Sequence, residues 1–267
     1  MSDAPADDRS RLRLRAGSIG RGALEFLVST QTAVVQDDFR HGFYLATDNR
    51  VIAVVGDAVS DGPLYIRIEG SIPAPAVGTK VRIVDGRAIV GFEWELATGT
   101  SRRYAPTLPV SSAGLGLLEH IEAPAPPDLR AMWPVVEAAA RRGDRRRVRD
   151  LVAGRGRGLT PEGDDVLAGA FLVWAMVERQ RPDLVDLAAT APTTILSRAF
   201  LRWAAVGESV AELHDLLWIA GRGRWHELAL AQERVRAIGG STGAAMLAGI
   251  RLAVSNPGSG CRPDDPA

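Results

Sequence analysis

The stretch from Gly154 to Gly169 constrains this chain more than any other. It reads Gly-Arg-Gly-Arg-Gly-Leu-Thr-Pro-Glu-Gly-Asp-Asp-Val-Leu-Ala-Gly and runs straight into the most hydrophobic segment of the sequence. A glycine loop feeding a buried helix is the simplest reading. Thr160 is placed to act as N-cap. Pro161 then takes the first helical position, where its missing N–H costs nothing. Glu162, Asp164 and Asp165 put negative charge near the positive end of the helix dipole. Gly163 fits this helix poorly, since glycine inside a helix costs about 0.5–1 kcal/mol against alanine. Something must approach that turn closely, either a ligand or another stretch of backbone.

The stretch has an echo. Gly163 to Gly169 and Gly243 to Gly249 both read Gly-x-x-x-Leu-Ala-Gly, and each follows a glycine- and hydroxyl-rich lead-in, Gly158-Leu159-Thr160 and Gly239-Gly240-Ser241-Thr242. Two helices with small residues at matching positions can pack closely. They are expected to be neighbours with their glycine-lined starts at the same end.

Composition narrows the function classes. The formal net charge of the 267 residues is zero, which argues against a dedicated nucleic-acid or membrane-surface binder. Lys80 is the only lysine, so the basic charge is carried by arginine, which suits bidentate binding of carboxylate or phosphate. Cys261 is the single cysteine, so neither a disulfide framework nor a cysteine metal site can form. Residues 1–6 lack a basic segment followed by an apolar one, and the apolar run 166–177 is shorter than the roughly 20 residues a membrane span needs. A cytoplasmic protein is expected.

The pattern predicts an α+β chain, with a β-rich N-terminal barrel or sandwich followed by an α-helical C-terminal domain. Residues 1–10 and 256–267 are polar and expected to be disordered tails. Residues 11–105 form the β-rich part. Strands are expected at Leu24–Ser29, Thr32–Gln36, Phe43–Thr47, Val51–Val55, Leu64–Ile68, Val81–Val84 and Ala88–Phe92. Asp48-Asn49-Arg50 and Asp85-Gly86 read as hairpin turns, and the close spacing suggests an antiparallel arrangement. Residues 106–127 are proline-rich and read as a linker. Residues 128–255 then read as helices at Leu129–Arg142, Arg145–Val152, Pro161–Arg181, Leu184–Ala189, Thr193–Val206, Glu208–Ala220, Trp225–Ile238 and Thr242–Val254. The six tryptophans fall mostly at helical positions and read as core.

The glycine loop matches neither the dinucleotide fingerprint nor a P-loop. Its physics still favours an anion, because free N–H groups at a helix start with Arg155 and Arg157 alongside make a cradle for phosphate or carboxylate. The aspartates oppose an anion unless they face elsewhere or hold Mg²⁺, the one metal that the pattern leaves open. A capped structural helix is the competing reading. Ser241-Thr242-Gly243 is a second candidate cradle, which also reads as an ordinary helix start. Thr193, Thr194 and Ser197 open another helix and could point hydroxyls into a shared pocket. His41, His120, His214 and His226 are scattered and read as surface groups. Nothing here resembles an activated nucleophile.

Gly-Leu-Thr-Pro-x-Gly-Asp-Asp-x-Leu-x-Gly, present as Gly158 to Gly169, resembles the signature of the AllH family. The resemblance extends to Gly62-Pro63-Leu64, to Thr193-Thr194 with Ser197, and to Gly239–Gly249. It implies a subunit of an oxamate carbamoyltransferase of allantoin breakdown, acting with two other proteins to move a carbamoyl group between oxalurate and phosphate. On that reading Arg157, Gly158, Leu159, Thr160, Pro161, Gly163, Thr193, Thr194, Ser241, Thr242 and Gly243 bind a small anion such as carbamoyl phosphate, phosphate or an oxamate-like acid. Asp164 and Asp165 are the catalytic candidates, and other protein subunits are the partners. Asp165→Asn is expected to abolish ligand binding while sparing the melting temperature. The sequence departs from the family at Ala245, where an acidic residue usually stands. The alternative is a non-catalytic subunit whose glycine helices form a tight core and whose surface docks partner proteins.

Overall fold

The computed structural model describes residues 11–109, 115–177 and 182–255. The chain divides into two compact units, with the boundary between Ala105 and Pro106.

The first unit is a closed eight-stranded barrel with a ninth strand added. Its strands are β1 (Leu12–Gly20), β2 (Thr32–Phe39), β3 (Gly42–Ala46), β4 (Val51–Val55), β5 (Tyr65–Ile68), β6 (Lys80–Val84), β7 (Arg87–Val90), β8 (Trp94–Ala97) and β9 (Arg102–Tyr104). The order β5-β4-β3-β2-β6-β7-β8-β1 closes because β1 also pairs with β5, and β9 lies beside the end of β1. Closure leaves no long free edge among those eight strands.

The long first strand makes this possible. Leu12–Arg15 runs parallel to β8, and after an irregularity at Gly17 the segment from Ala16 to Ile19 pairs with β5. Gly20 lies so close to the Gly62 and Pro63 carbonyls that a Cβ would overlap both, which fixes the glycine. The pairings β4–β5, β1–β8 and β1–β9 are parallel, so the sheet is mixed rather than purely antiparallel.

Both expected hairpins form. Asp85 and Gly86 have φ of 50° and 71°, the positive pair that a tight two-residue turn between β6 and β7 requires. The segment expected as a first strand is instead helix α1 (Arg21–Ser29). Ala23, Phe26 and Leu27 are buried while Val28 is 74% exposed, which is a helical spacing and not an alternating one. Helix α1 packs against β1, β4 and β5, and this is why Val-Ile-Ala-Val-Val of β4 is buried along its whole length.

The second unit is helical. Its helices are α2 (Leu115–Leu118), α3 (Trp133–Arg141), α4 (Arg145–Val152), α5 (Glu162–Val177), α6 (Pro182–Ala189), α7 (Ile195–Ala205), α8 (Ala211–Gly221), α9 (Trp225–Arg236) and α10 (Thr242–Val254), with a 3-10 turn at Pro127–Leu129. Within the proline-rich stretch 106–127, α2 buries Leu115, Leu117 and Leu118 and packs on α8 and α10. Helix α5 is buried from Gly163 to Ala175 and is surrounded by α4, α7 and α10. The expected extension of this helix over 178–181 lies outside the described residues. Of the six tryptophans only Trp174 is fully buried, and Trp225 is 51% exposed, so the expectation of a tryptophan core is corrected.

The helical unit repeats itself at an offset of 80 residues. Helices α3, α4 and α5 correspond to α8, α9 and α10, with Arg141 matching Gly221, Arg145 matching Trp225 and Glu162 matching Thr242. The first turn-over is the same in both copies. Gly143 and Gly223 sit at φ of 71° and 69°, donating to Ala140 O and Ala220 O, and the next residues donate to Ala139 O and Ile219 O. This is the glycine-terminated helix end in which both hydrogen bonds reach back into the last turn. The copies differ after the middle helix. Helix α9 runs on to Arg236, whereas α4 stops at Val152 and its chain goes into the glycine loop.

Candidate functional site

The glycine loop takes its shape from backbone contacts. Gly154, Gly156 and Gly158 all have positive φ, at 69°, 120° and 88°. A Cβ on Gly154 would lie 2.7 Å from Pro192 O, and one on Gly156 would lie 2.7 Å from Glu162 N. The loop folds back so that Arg155 O accepts from Gly163 N–H at 2.8 Å. Gly163 is explained in the same way. Its Cβ would fall 1.9 Å from Val152 O, the last carbonyl of α4, so another backbone and not a ligand demands this glycine.

The start of α5 differs from expectation by one residue. The helix begins at Glu162, and Pro161 O accepts from Asp164 N–H at 2.8 Å. Thr160 therefore stands outside the capping position.

The two aspartates have separate roles in the structure. Asp164 is 3% exposed and both its oxygens are engaged. Oδ1 accepts from Gly154 N–H at 2.8 Å, and Oδ2 accepts from the Thr193 hydroxyl. Asp164 thus ties the loop to the lead-in of α7. The neighbouring hydroxyls complete that tie. Thr194 caps α7 by accepting from Ser197 N–H at 3.0 Å and donates to Leu159 O at 2.8 Å. Ser197 Oγ also reaches Leu159 O at 3.4 Å, while Arg198 holds Thr193 O at 2.9 Å. The structure brings Thr193, Thr194 and Ser197 onto the loop, but as clamps on its carbonyls and on Asp164.

Asp165 points to the other copy. It is 6% exposed and its carboxyl is hydrogen bonded by Thr242, in the first turn of α10. Its Oδ2 has no partner. Burial pushes the carboxyl up to about 8, the Thr242 bond opposes that shift, and the negative charges of Asp164 and Glu162 add to it. Contact between Asp165 and Thr242 places the starts of α5 and α10 at one end. Further along, the helices cross closely and reciprocally. A Cβ on Gly169 would meet Met246 O at 2.0 Å, and one on Gly249 would meet Val166 O at 1.9 Å. Gly243 repeats the role of Gly163, pressed against Val235 O, and its N–H donates to Ile238 O at 3.0 Å. Ser241 precedes α10 without a side-chain capping bond and is exposed. Ala245, the counterpart of Asp165 in the second copy, is buried.

What remains free faces outward. Arg155 and Arg157 are exposed and have no ion-pair partner among the described residues. No described backbone carbonyl takes the N–H groups from Gly156 to Thr160. Together these form a cationic loop with spare donors beside a buried acid. The aspartate pair does not fit Mg²⁺. Asp164 has given both oxygens to protein donors, which leaves Asp165 alone, and among the described residues no group of three or more metal-ligating side chains assembles.

Sequence reasoning missed His214. Expected at the surface, it is 4% exposed, its Nε2 accepts from Ser209 N–H at 3.1 Å, and its Nδ1 lies 3.3 Å from Thr107 O. Trp218 Nε1 donates to the same carbonyl at 2.9 Å. Burial pushes the imidazole down to about 4, with the Thr107 bond opposing. The available signal was helical spacing, since His214 lies three and four residues from the buried Leu217 and Val210.

No curated protein and no solved structure matches the chain. No helix among the described residues is long and apolar enough to cross a membrane. A family model does match, over residues 152–254. The match takes in the glycine loop, the Thr193–Ser197 clamp and both glycine-lined helix starts, and it stops short of the barrel that contains Gly62-Pro63-Leu64. Residues 152–254 match the model of the family described as oxamate carbamoyltransferase subunit AllH.

Proposed function

We propose that the protein is a subunit of a carbamoyltransferase and that it binds a small anion, such as carbamoyl phosphate, phosphate or an oxamate-like acid, against the glycine loop and the paired starts of α5 and α10. The observation that carries this reading is the loop itself. Its fold leaves Arg155 and Arg157 exposed without partners, in a loop whose backbone N–H groups from Gly156 to Thr160 no described carbonyl takes. Such an arrangement stabilises negative charge without rearranging. Carbamoyl transfer needs an anion held in place and a developing oxyanion stabilised, and it needs no covalent enzyme intermediate. Arg155, Arg157 and the amides of Gly156 and Gly158 would hold the anion, and Asp164 would keep the loop in shape through Gly154 and Thr193. The remaining steps would fall to other subunits of the assembly.

Calorimetric titration of the purified chain with phosphate, carbamoyl phosphate and oxamate tests this. The double variant Arg155→Ala/Arg157→Ala should bind at least about tenfold more weakly, because each charge-assisted hydrogen bond is worth about 1.5–3 kcal/mol. Its melting temperature should stay unchanged, since both side chains are exposed. Equal affinity in the double variant would refute the loop as the site.

One observation favours the second reading, a structural subunit that docks partners. Gly163, Gly169, Gly243 and Gly249 are all explained by backbone packing. Anion binding by the isolated chain would exclude that reading, whereas a complex that keeps full activity with the Arg155→Ala/Arg157→Ala chain would support it.

A further inference from the structure

The unpartnered oxygen of Asp165 is the feature that an anion site leaves unexplained, because a carboxylate there would repel the ligand. Asp164 poses no such difficulty, as both its oxygens are taken by protein donors. Asp165 has one bond, to Thr242, and a bare Oδ2 in a residue that is 6% exposed. A buried carboxylate with an unsatisfied oxygen is far costlier than the neutral acid.

The surrounding charges reinforce this. Asp164 and Glu162 act on Asp165 from its own helix, and α10 faces it with Thr242, its one charged residue, Arg251, lying in the last turn. The cations on the other packed elements are occupied or turned outward. On α7, Arg198 is bound to Ala191 O and Thr193 O, and Arg202 is exposed. On α4, Arg149 is bound to Asp150 and Thr190, and Arg145 lies over the Trp174 ring. The carboxyl therefore carries a proton at neutral pH, and a protonated carboxyl has an O–H to give. An acid kept neutral by its surroundings is an established way to present a hydrogen-bond donor to an oxyanion.

We propose that Asp165 works as a neutral acid, its free Oδ2 donating a hydrogen bond to an acceptor oxygen of the anion held at the paired starts of α5 and α10; this rests on the anion reading above. The acid pair and the anion then cease to conflict, because one aspartate is consumed by the fold and the other is uncharged. Ala245 in the matching position of the second copy makes the site one-sided.

Titration of the full chain with oxamate, whose charge is constant over the range, at pH 6.5 and pH 9.5 tests the proposal. For a group titrating near 8, wild-type affinity should fall about thirtyfold between those values. Asp165→Asn, expected from sequence alone to abolish binding, should instead stay within about threefold of wild type at pH 6.5, because its amide still donates, and should lose the pH dependence. Asp165→Ala should lose at least about tenfold. Circular dichroism melts establish that the variants fold, and the isosteric asparagine variant carries the test if the alanine variant does not. Loss of binding in Asp165→Asn with the fold intact, or a wild-type affinity that is flat or rises with pH, overturns the proposal and leaves the anion site standing. A wild type that binds no oxamate at either pH overturns both.

Discussion

Asp165 and His214 are buried titratable groups whose shifts run in opposite directions, and they give the protein a testable pH profile. The folded-state pKa of Asp165 is raised, from 3.8 to about 8. Its contribution to stability is fully present below pH 3.8 and is lost as pH rises through about 8. That of His214 is lowered, from 6.5 to about 4, so its contribution is present above pH 6.5 and is lost as pH falls through about 4. Between pH 4 and 6.5 the two slopes oppose each other. Between pH 6.5 and 8 Asp165 titrates alone of the two, and wild type should lose up to about 1.4 kcal/mol per pH unit relative to Asp165→Asn. Urea melts of the two proteins at pH 6.5, 7.25 and 8 measure this, and parallel curves would mean that Asp165 is ionised throughout. His214→Leu should cost about 1–3 kcal/mol at pH 7, because Ser209 N–H loses a buried acceptor. That variant should also show a flatter acid limb.

The crossing of α5 and α10 is the element on which the helical unit depends. At Gly169 and Gly249 a methyl group would come within about 2 Å of a carbonyl oxygen of the facing helix. Backbone cannot yield as a side-chain tip can, so the helices must separate. Gly169→Ala and Gly249→Ala should each cost about 1–3 kcal/mol or more, by overpacking. The double variant should cost less than the sum, since separation at one glycine relieves the other. Gly116→Ala in α2, where a Cβ meets nothing within 4 Å, is the control and should be neutral or stabilising by up to about 1 kcal/mol. The crossing was legible in the sequence, because close helix contact requires small residues at a fixed spacing and both copies of Gly-x-x-x-Leu-Ala-Gly preserve it. The Asp85-Gly86 turn was legible for a similar reason, being fixed by two local φ angles. Helix α1 was not, since Leu-Glu-Phe-Leu-Val satisfies strand propensity as well as helical spacing over so few residues. The meaning of Gly163 was also hidden. Its demand comes from Val152 O, and the sequence admits a ligand there just as readily. The parallel pairings of β1 depend on partners about 80 residues away, beyond any local signal.

At the scale of the molecule, the helical unit holds its own core and two copies of one three-helix arrangement, and only the first has spent the end of its middle helix on a loop. The family match falls entirely within this unit. A fragment covering 106–255 should therefore fold without the barrel and bind phosphate with an affinity within about threefold of the full chain. The point of truncation matters. Thr107 O is the acceptor for both the His214 ring and the Trp218 indole. A fragment beginning at 115 removes that carbonyl, together with the two N–H···O bonds it accepts, at about 1–3 kcal/mol for the buried imidazole. It should melt a few degrees below the 106–255 fragment, given the roughly 2–4 °C per kcal/mol expected for a domain of this size. Paired melts and phosphate titrations of the two fragments and the full chain decide the matter. If 106–255 fails to fold while the full chain is stable, the barrel is needed to hold the helical unit together. If it folds but has lost phosphate, the site draws on residues before 106, and the glycine loop alone does not account for the anion.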